Sequence, residues 1–308
     1  MIRVRRLAPR WMLMGSMGVA IAYTLFCLYL FQQQRTIVFD PNRPITALPN
    51  DPTFKLPYED ITIPVGDQQQ MQGWWIPAPT AEEVIAAIPN EPIRVLSSPM
   101  VVLMLKGRGG NRSSRSHLAR TKGLRQLGFA VLLVDYRGYG DSDGDLPSEI
   151  SLYQDSQAAW RYLTQVRGIP PEQIVIHGES MGGAVAIDLA TQQPQAAGLI
   201  VQSSFTSMSA AIKHFKWLNL LPIDLLLTQR FDSIAKVKSL QMPVLYLHGT
   251  ADQIVPASMS QQLYEATPAQ TPKELLLVPD RTHYRIYRPG QASYLRAVQR
   301  LANKIEAR

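Results

Sequence analysis

The chain has 308 residues, 46% of them hydrophobic and 18% charged, with a formal net charge of +7. That is the composition of a globular protein with ample length for a buried core, in one large α/β domain or two small ones. Arg3, Arg5, Arg6, Arg10 and Arg35 fall in the first 35 positions, which hold no acid; the other 26 bases face 24 acids, so the charge gives no argument for nucleic-acid binding.

Residues 1–10 read as a basic tail. Trp11 to Phe31, "WMLMGSMGVAIAYTLFCLYLF", is 21 residues without a charge. As a helix rising about 1.5 Å per residue it spans roughly 31 Å, enough to cross a bilayer core. Four arginines precede it and one follows, so the positive-inside rule predicts a single-pass protein. Its N-terminus lies in the cytoplasm and its body on the outer, extracytoplasmic side. A cleaved signal peptide is the alternative, but its apolar region is shorter and ends on a small-x-small site. Here Ala20-Ile21-Ala22 lies in mid-run, which favours an uncleaved anchor. The only cysteine, Cys27, sits in this run, so the body has no internal disulfide, cysteine nucleophile or cysteine-based metal site.

Residues 32–58, rich in Pro, Asn and Asp, read as an extended tether. Residues 59–308 read as one domain. "DITIPV" and "MQGWWIPAP" form strands joined by a polar turn, a hairpin; Thr80 to Ser98 is a less regular loop. From residue 99 near-continuous apolar runs ("PMVVLMLKG", "FAVLLVDYRG", "QIVIHG", "AGLIVQSS", "MPVLYLHG", "KELLLVPD") alternate with helical stretches. In one of these, Ser148 and Ser151 are candidate caps. Such alternation predicts a parallel sheet buried on both faces. Phe205 to Lys238 breaks the rhythm with "FKWLNLLPIDLLL", read either as two short packed helices or as a cap, about 205–238, that meets lipid or acyl chains.

"IVIHGESMGGAVAIDLA" places Ser180 between a buried strand and a helix. Gly178, Gly182 and Gly183 permit the tight turn that exposes a nucleophile. The same turn sets the Met181 N–H at a helix N-terminus, where it can hold an anion. A serine needs a base oriented by a third group, in the order Ser, Asp or Glu, then His. His283, after the last strand, is the candidate base. Asp252, after "VLYLHG", is the candidate acid, preferred to Asp280, which lies too near His283. His214 reads as a surface residue and His248 as a packed or turn histidine. The loop "KGRGGN" after the first buried strand offers the Arg108 N–H as second oxyanion donor. Asp135 and Arg137 in "DYRGYGDS" read as structural ties. Arg108, Arg112, Arg115 and Arg120 read as a solvated face, with contact to an anionic headgroup as the alternative. No motif spacing points to a metal, a phosphate loop or a cofactor.

Together "GWWIPA", "GRGGN", "DYRGYGDSDG", "GESMGG", "RFDSIAKV", "PVLYLHGTADQIVP" and His283 resemble the α/β-hydrolase superfamily, in its ABHD-type branch of membrane-associated serine hydrolases. The resemblance implies an α/β-hydrolase fold: a mostly parallel eight-stranded sheet with helices on both faces and a small helical cap. It also implies ester or thioester hydrolysis, relatives acting on acylated proteins or lysolipids. Two stretches depart from the family pattern. Lys106-Gly107-Arg108 replaces His-Gly-Asn, and Thr282 precedes His283 where a glycine is usual. The expected function is a membrane-anchored serine hydrolase of a small-molecule or lipid-like acyl substrate. An acyltransferase using the same triad, or a catalytically silent scaffold, is the alternative.

Overall fold

The uninterrupted apolar runs become strands covered on both sides. In the computed structural model, which describes residues 10–41, 44–66, 68–80, 83, 100–287 and 292–307, five strands are buried at every position. These are β3 (Val101–Leu105), β4 (Ala130–Val134), β5 (Ile174–Glu179), β6 (Gly198–Gln202) and β7 (Val244–Gly249). With β1 (Glu59–Val65), β2 (Gln69–Ile76) and β8 (Lys273–Val278) they form one eight-stranded sheet in the order β1-β2-β4-β3-β5-β6-β7-β8. β1 and β2 make the expected antiparallel hairpin, β2 runs antiparallel to β4, and the other neighbours are parallel.

Side chains alternate between the two faces. Val101, Leu103 and Leu105 join one core cluster, and Val102 and Met104 the other. The chain passes from β3 to β4 on one side and then returns to β5 on the other. Such a reversal leaves a crevice beyond the carboxyl ends of β3 and β5, where open α/β sheets bind ligands.

The helices follow their local signals. α2 (Arg115–Gln126) buries Leu118 and Leu124. α3 (Glu149–Arg161) starts on a capping box in which Ser148 and Ser151 satisfy each other's backbone N–H groups. α4 (Met181–Gln192) is buried from Met181 through Ala190, as a helix packed on all sides must be.

The N-terminal part differs from the expected anchor and tether. The helix α1 runs from Arg10 to Val38, seven residues past Phe31, because no Gly or Pro stands between Phe31 and Pro41. It is, among the described residues, the one helix long and apolar enough to cross a membrane by length and composition. Phe39, Ala47, Phe54 and Leu56, expected in the tether, are buried in the body. Phe39 meets Phe231 edge-on at 6.2 Å, and Phe231 in turn meets Tyr153 and Phe205. The basic residues before Arg10 and most of the Thr80–Ser98 loop lie outside the described residues.

Phe205 to Lys238 folds as short helical turns: α5 (Met208–Lys213), a 3-10 turn at Lys216–Leu220, α6 (Ile223–Leu226) and α7 (Ser233–Lys236). This is more fragmented than two packed helices, and it leans on α1. The Gln34 amide N–H donates to the Leu226 carbonyl at 3.2 Å, and the Gln34 carbonyl accepts from the Thr228 N–H at 2.7 Å.

Candidate active site

Glu179 ends β5 and Met181 begins α4, so the whole reversal falls on Ser180, whose φ is +54° and ψ −121°. A non-glycine residue held there costs about 1–3 kcal/mol, which the surrounding packing must hold in place. The crowding explains the glycines. A Cβ on Gly178 would lie 2.1 Å from the Gly182 carbonyl oxygen, and one on Gly183 would lie 2.5 Å from Ser204 Cβ. The Ser180 N–H donates to the Gln202 carbonyl at 2.8 Å and the Ser204 hydroxyl to the Ser180 carbonyl at 2.8 Å, fixing the turn from β6.

The sheet brings the three expected side chains together. Ser180 Oγ lies 3.0 Å from His283 Nε2, and His283 Nδ1 lies 2.7 Å from Asp252 Oδ2. The carboxylate requires the proton on Nδ1, which leaves Nε2 free to accept from the serine hydroxyl. Asp252 Oδ1 accepts the N–H groups of Ile254 and Val255, each at 2.9 Å. Burial alone would raise the Asp252 carboxyl. Hydrogen bonds from His248, His283 and the Val255 N–H instead hold it well below the usual carboxylate range, so it stays ionised. Asp280 is exposed, and its N–H donates to Thr250 Oγ1 at 3.0 Å.

His248 is packed, as its place in a strand implied, and it also serves the acid. Its Nε2 faces two acceptors, the Val255 carbonyl at 2.8 Å and Asp252 Oδ2 at 3.1 Å, so it carries the proton. Nδ1 then accepts from the Ser260 hydroxyl at 2.7 Å. The four-residue spacing of His248 and Asp252 across a strand end was the available signal, and it does not by itself bring the side chains together.

The loop after β3 lies over the elbow because β3 and β5 are neighbours, with Leu105 opposite Gly178. A Cβ on Gly107 would sit 3.3 Å from Ser180 Cβ. Met181 is the first residue of α4, where N–H groups have no carbonyl one turn back to bond. Arg108 follows Gly107 in the covering loop, and its side chain turns away to the end of α1. Nε donates to the Val38 carbonyl at 3.1 Å and Nη2 to the Ile37 carbonyl at 3.0 Å. A helix C-terminus favours a cation and leaves its last carbonyls unpaired. The Tyr139 hydroxyl donates to the Arg108 carbonyl at 2.8 Å. Lys106, where the family pattern has His, is buried with Nζ 3.0 Å from the Tyr139 ring centroid. Burial lowers it to about 7, against the opposing pull of Asp135 and Asp40.

The solvated arginine face does not form. Of its members on or beside α2, Arg115 is exposed while Arg112 and Arg120 are buried. Arg120 donates to both oxygens of the buried Glu179 at 2.8 and 3.1 Å, and Gln202 adds a bond at 3.0 Å. Burial opposes the Glu179 charge, but Arg120 and His117 keep it ionised, well below the usual range. Arg112 pairs with Asp135 at 2.8 Å, and Arg137 with Asp155 at 2.6 Å, the structural ties expected of Asp135 and Arg137. His214 is exposed.

Comparison with known proteins agrees with this fold. Residues 97–235 match the family described as serine aminopeptidase, S33. Rv2307c of Mycobacterium tuberculosis is 34% identical over 266 residues, which cover 86% of this chain and 85% of the relative. The protein bem46 of Schizosaccharomyces pombe is 32% identical over 250 residues, 77% of this chain and 76% of the relative. Among solved structures, the Pyrococcus furiosus esterase Pf2001 superposes with a TM-score of 0.65 at 21% identity, covering 86% of this chain and 99% of the other. Est1E of Butyrivibrio proteoclasticus with ferulic acid bound superposes at 0.60 and 19% identity, covering 80% and 100%. At those identities the two structures speak for the fold.

Proposed function

The chain belongs to the α/β-hydrolase superfamily, in the ABHD-type group with bem46, and from that premise we propose that it is a membrane-anchored serine hydrolase of carboxylic esters or thioesters. One observation carries the reading: a serine on strained backbone whose hydroxyl lies 3.0 Å from an imidazole, itself 2.7 Å from a buried carboxylate.

In this mechanism Ser180 Oγ attacks the acyl carbonyl while His283 Nε2 takes its proton. Asp252 holds the imidazole tautomer and stabilises the imidazolium. The Met181 and Arg108 N–H groups receive the negative charge that develops on the carbonyl oxygen. Each such donor is worth about 10²- to 10³-fold in rate. The carbon–oxygen or carbon–sulfur bond then breaks, and His283 returns its proton to the leaving alcohol or thiol. Water, deprotonated by His283, attacks the acyl-serine; the acid is released and Ser180 regains its proton. The apolar α1 holds the domain at a bilayer, with the basic N-terminus on the cytoplasmic side and the catalytic body on the other.

A fluorophosphonate probe tests the proposal. It should label the wild type at one site, and Ser180→Ala should lose both the label and hydrolysis of p-nitrophenyl butyrate. A folded wild type that takes no label and turns over no ester would end the hydrolase reading.

A further inference from the structure

Between α1 and the cap lies a groove of about 150 Å³ that the reaction scheme does not use. Its walls include Leu30, Ile37 and Val38 from α1, and Leu218, Leu221 and Leu226 from the cap. The one polar side chain in the lining, Gln34, is engaged: its amide N–H donates to the Leu226 carbonyl, and its carbonyl accepts from the Thr228 N–H and hydroxyl at 2.7 and 2.9 Å. The groove therefore offers hydrocarbon contact and little hydrogen bonding to an occupant.

Its position links two regions. At one end, Ile37 and Val38 are the residues whose carbonyls receive the Arg108 guanidinium. Arg108 follows Gly107, whose backbone lies against Ser180, so this wall of the groove is tied to the loop over the nucleophile. Beyond Leu30, toward the start of α1, the Tyr23 hydroxyl donates to the Leu220 carbonyl at 2.8 Å. Tyr23 stands eight residues before Phe31, where the uncharged run ends. At 1.5 Å per residue, Leu220 lies beside α1 about 12 Å inside that run. Trp217, Leu220 and Leu225 are 72%, 82% and 81% exposed there. A bilayer that takes up the apolar stretch of α1 must take up this cap tip as well.

We propose that the groove is the acyl-chain subsite of the enzyme, with the anchor helix as one of its walls. A long-chain acyl ester enters it from the leaflet in which Trp217, Leu220 and Leu225 are immersed. The inference rests on the serine-hydrolase reading above and adds where a long acyl chain is held, between the cap and α1. It also gives the anchor a role beyond attachment, because removing α1 removes one wall of the subsite.

The test uses the full-length protein in phospholipid nanodiscs with p-nitrophenyl butyrate and p-nitrophenyl laurate. Each methylene buried in an apolar site contributes up to about fourfold in kcat/KM, so the laurate-to-butyrate ratio should be well above one in the wild type. Leu218→Trp and Leu226→Trp put bulk into the groove from half-buried positions and should lower that ratio by about tenfold or more, the equivalent of two or more methylenes. Fluorophosphonate labelling certifies that each variant is folded. Lipids brominated in the acyl chain should quench the fluorescence that Trp217→Phe removes. The groove proposal is overturned by a wild type with no preference for laurate, or by labelled variants with an unchanged ratio. An unquenched Trp217, or protection of Trp217 by a second copy in place of lipid, overturns entry from the bilayer. Loss of butyrate hydrolysis and of labelling in the wild type would instead defeat the hydrolase reading itself, so the two failures are distinct.

Discussion

Replacing Gly182 by alanine puts a methyl carbon 2.3 Å from the Leu105 carbonyl oxygen and 2.4 Å from that of Lys106. Ordinary contact starts near 3.4 Å, so one side must retreat by about 1 Å. α4 cannot, since it is buried from Met181 through Ala190. The displacement falls on the end of β3 and on Lys106 to Arg108, the loop that carries the second proposed oxyanion N–H. Misplacing a catalytic group by about 1 Å can cost about 10²-fold, and losing one oxyanion donor costs about 10²- to 10³-fold, or roughly 3–4 kcal/mol. The expected result is a kcat on p-nitrophenyl butyrate that is lower by about 10²- to 10³-fold, with KM changed only a few-fold, because the ground-state carbonyl gains little from the oxyanion donors. Overpacking also costs about 1–3 kcal/mol of stability, so a melting curve must show the variant folded at the assay temperature. Gly18→Ala is the control, since its new methyl meets nothing within 4 Å. A folded Gly182→Ala enzyme with kcat within about threefold of wild type would refute the assignment of this loop to the oxyanion.

Asp252→Asn should lower kcat by about 10⁴-fold with little change in KM, because the amide favours the wrong tautomer of His283; steady-state kinetics checks it. Phe39→Ala should destabilise the fold by about 3–5 kcal/mol in urea unfolding, since Phe39 is fully buried against Phe231. Lys106→Met tests the buried lysine through pH. Below about 7 the lysine is protonated in both states; between about 7 and its ordinary 10.5 the folded protein has released a proton that the unfolded chain keeps. Unfolding then takes up a proton, so wild-type stability should gain up to roughly 5 kcal/mol as pH rises through that window. The Met variant should lack this gain, and parallel urea curves for the two proteins at pH 7 and 10 would contradict it.

Several features were legible because they are local. An apolar run without alternation, such as Val101–Leu105, can only be covered on both faces, and the run of such strands between helices dictates a parallel sheet. The glycines around Ser180 announce a turn that tolerates no Cβ, and that turn is where the strained serine stands. Ser148 and Ser151 at three-residue spacing announce a helix start. Other features looked local and were not. Pro, Asn and Asp in residues 32–58 suggested an extended tether, yet Phe39, Phe54 and Leu56 find apolar partners far along the chain. Arg120 lies on a helix whose charged composition reads as a solvated face; it is buried because Glu179, 59 residues away, offsets its desolvation.

The sequence by itself determined the sheet, the elbow, the candidate acid and base, and a membrane-length apolar run, because periodicity and turn chemistry act over a few residues. Only the tertiary structure decided that Ser180 and His283, 103 residues apart, share a hydrogen bond, and that His248 steadies Asp252. It alone brought the end of α1 to Arg108, 70 residues on, beside the loop that lies against Ser180. Such meetings depend on how whole elements pack, and on which buried donors and acceptors must pair once water is excluded. No short window of sequence contains that information.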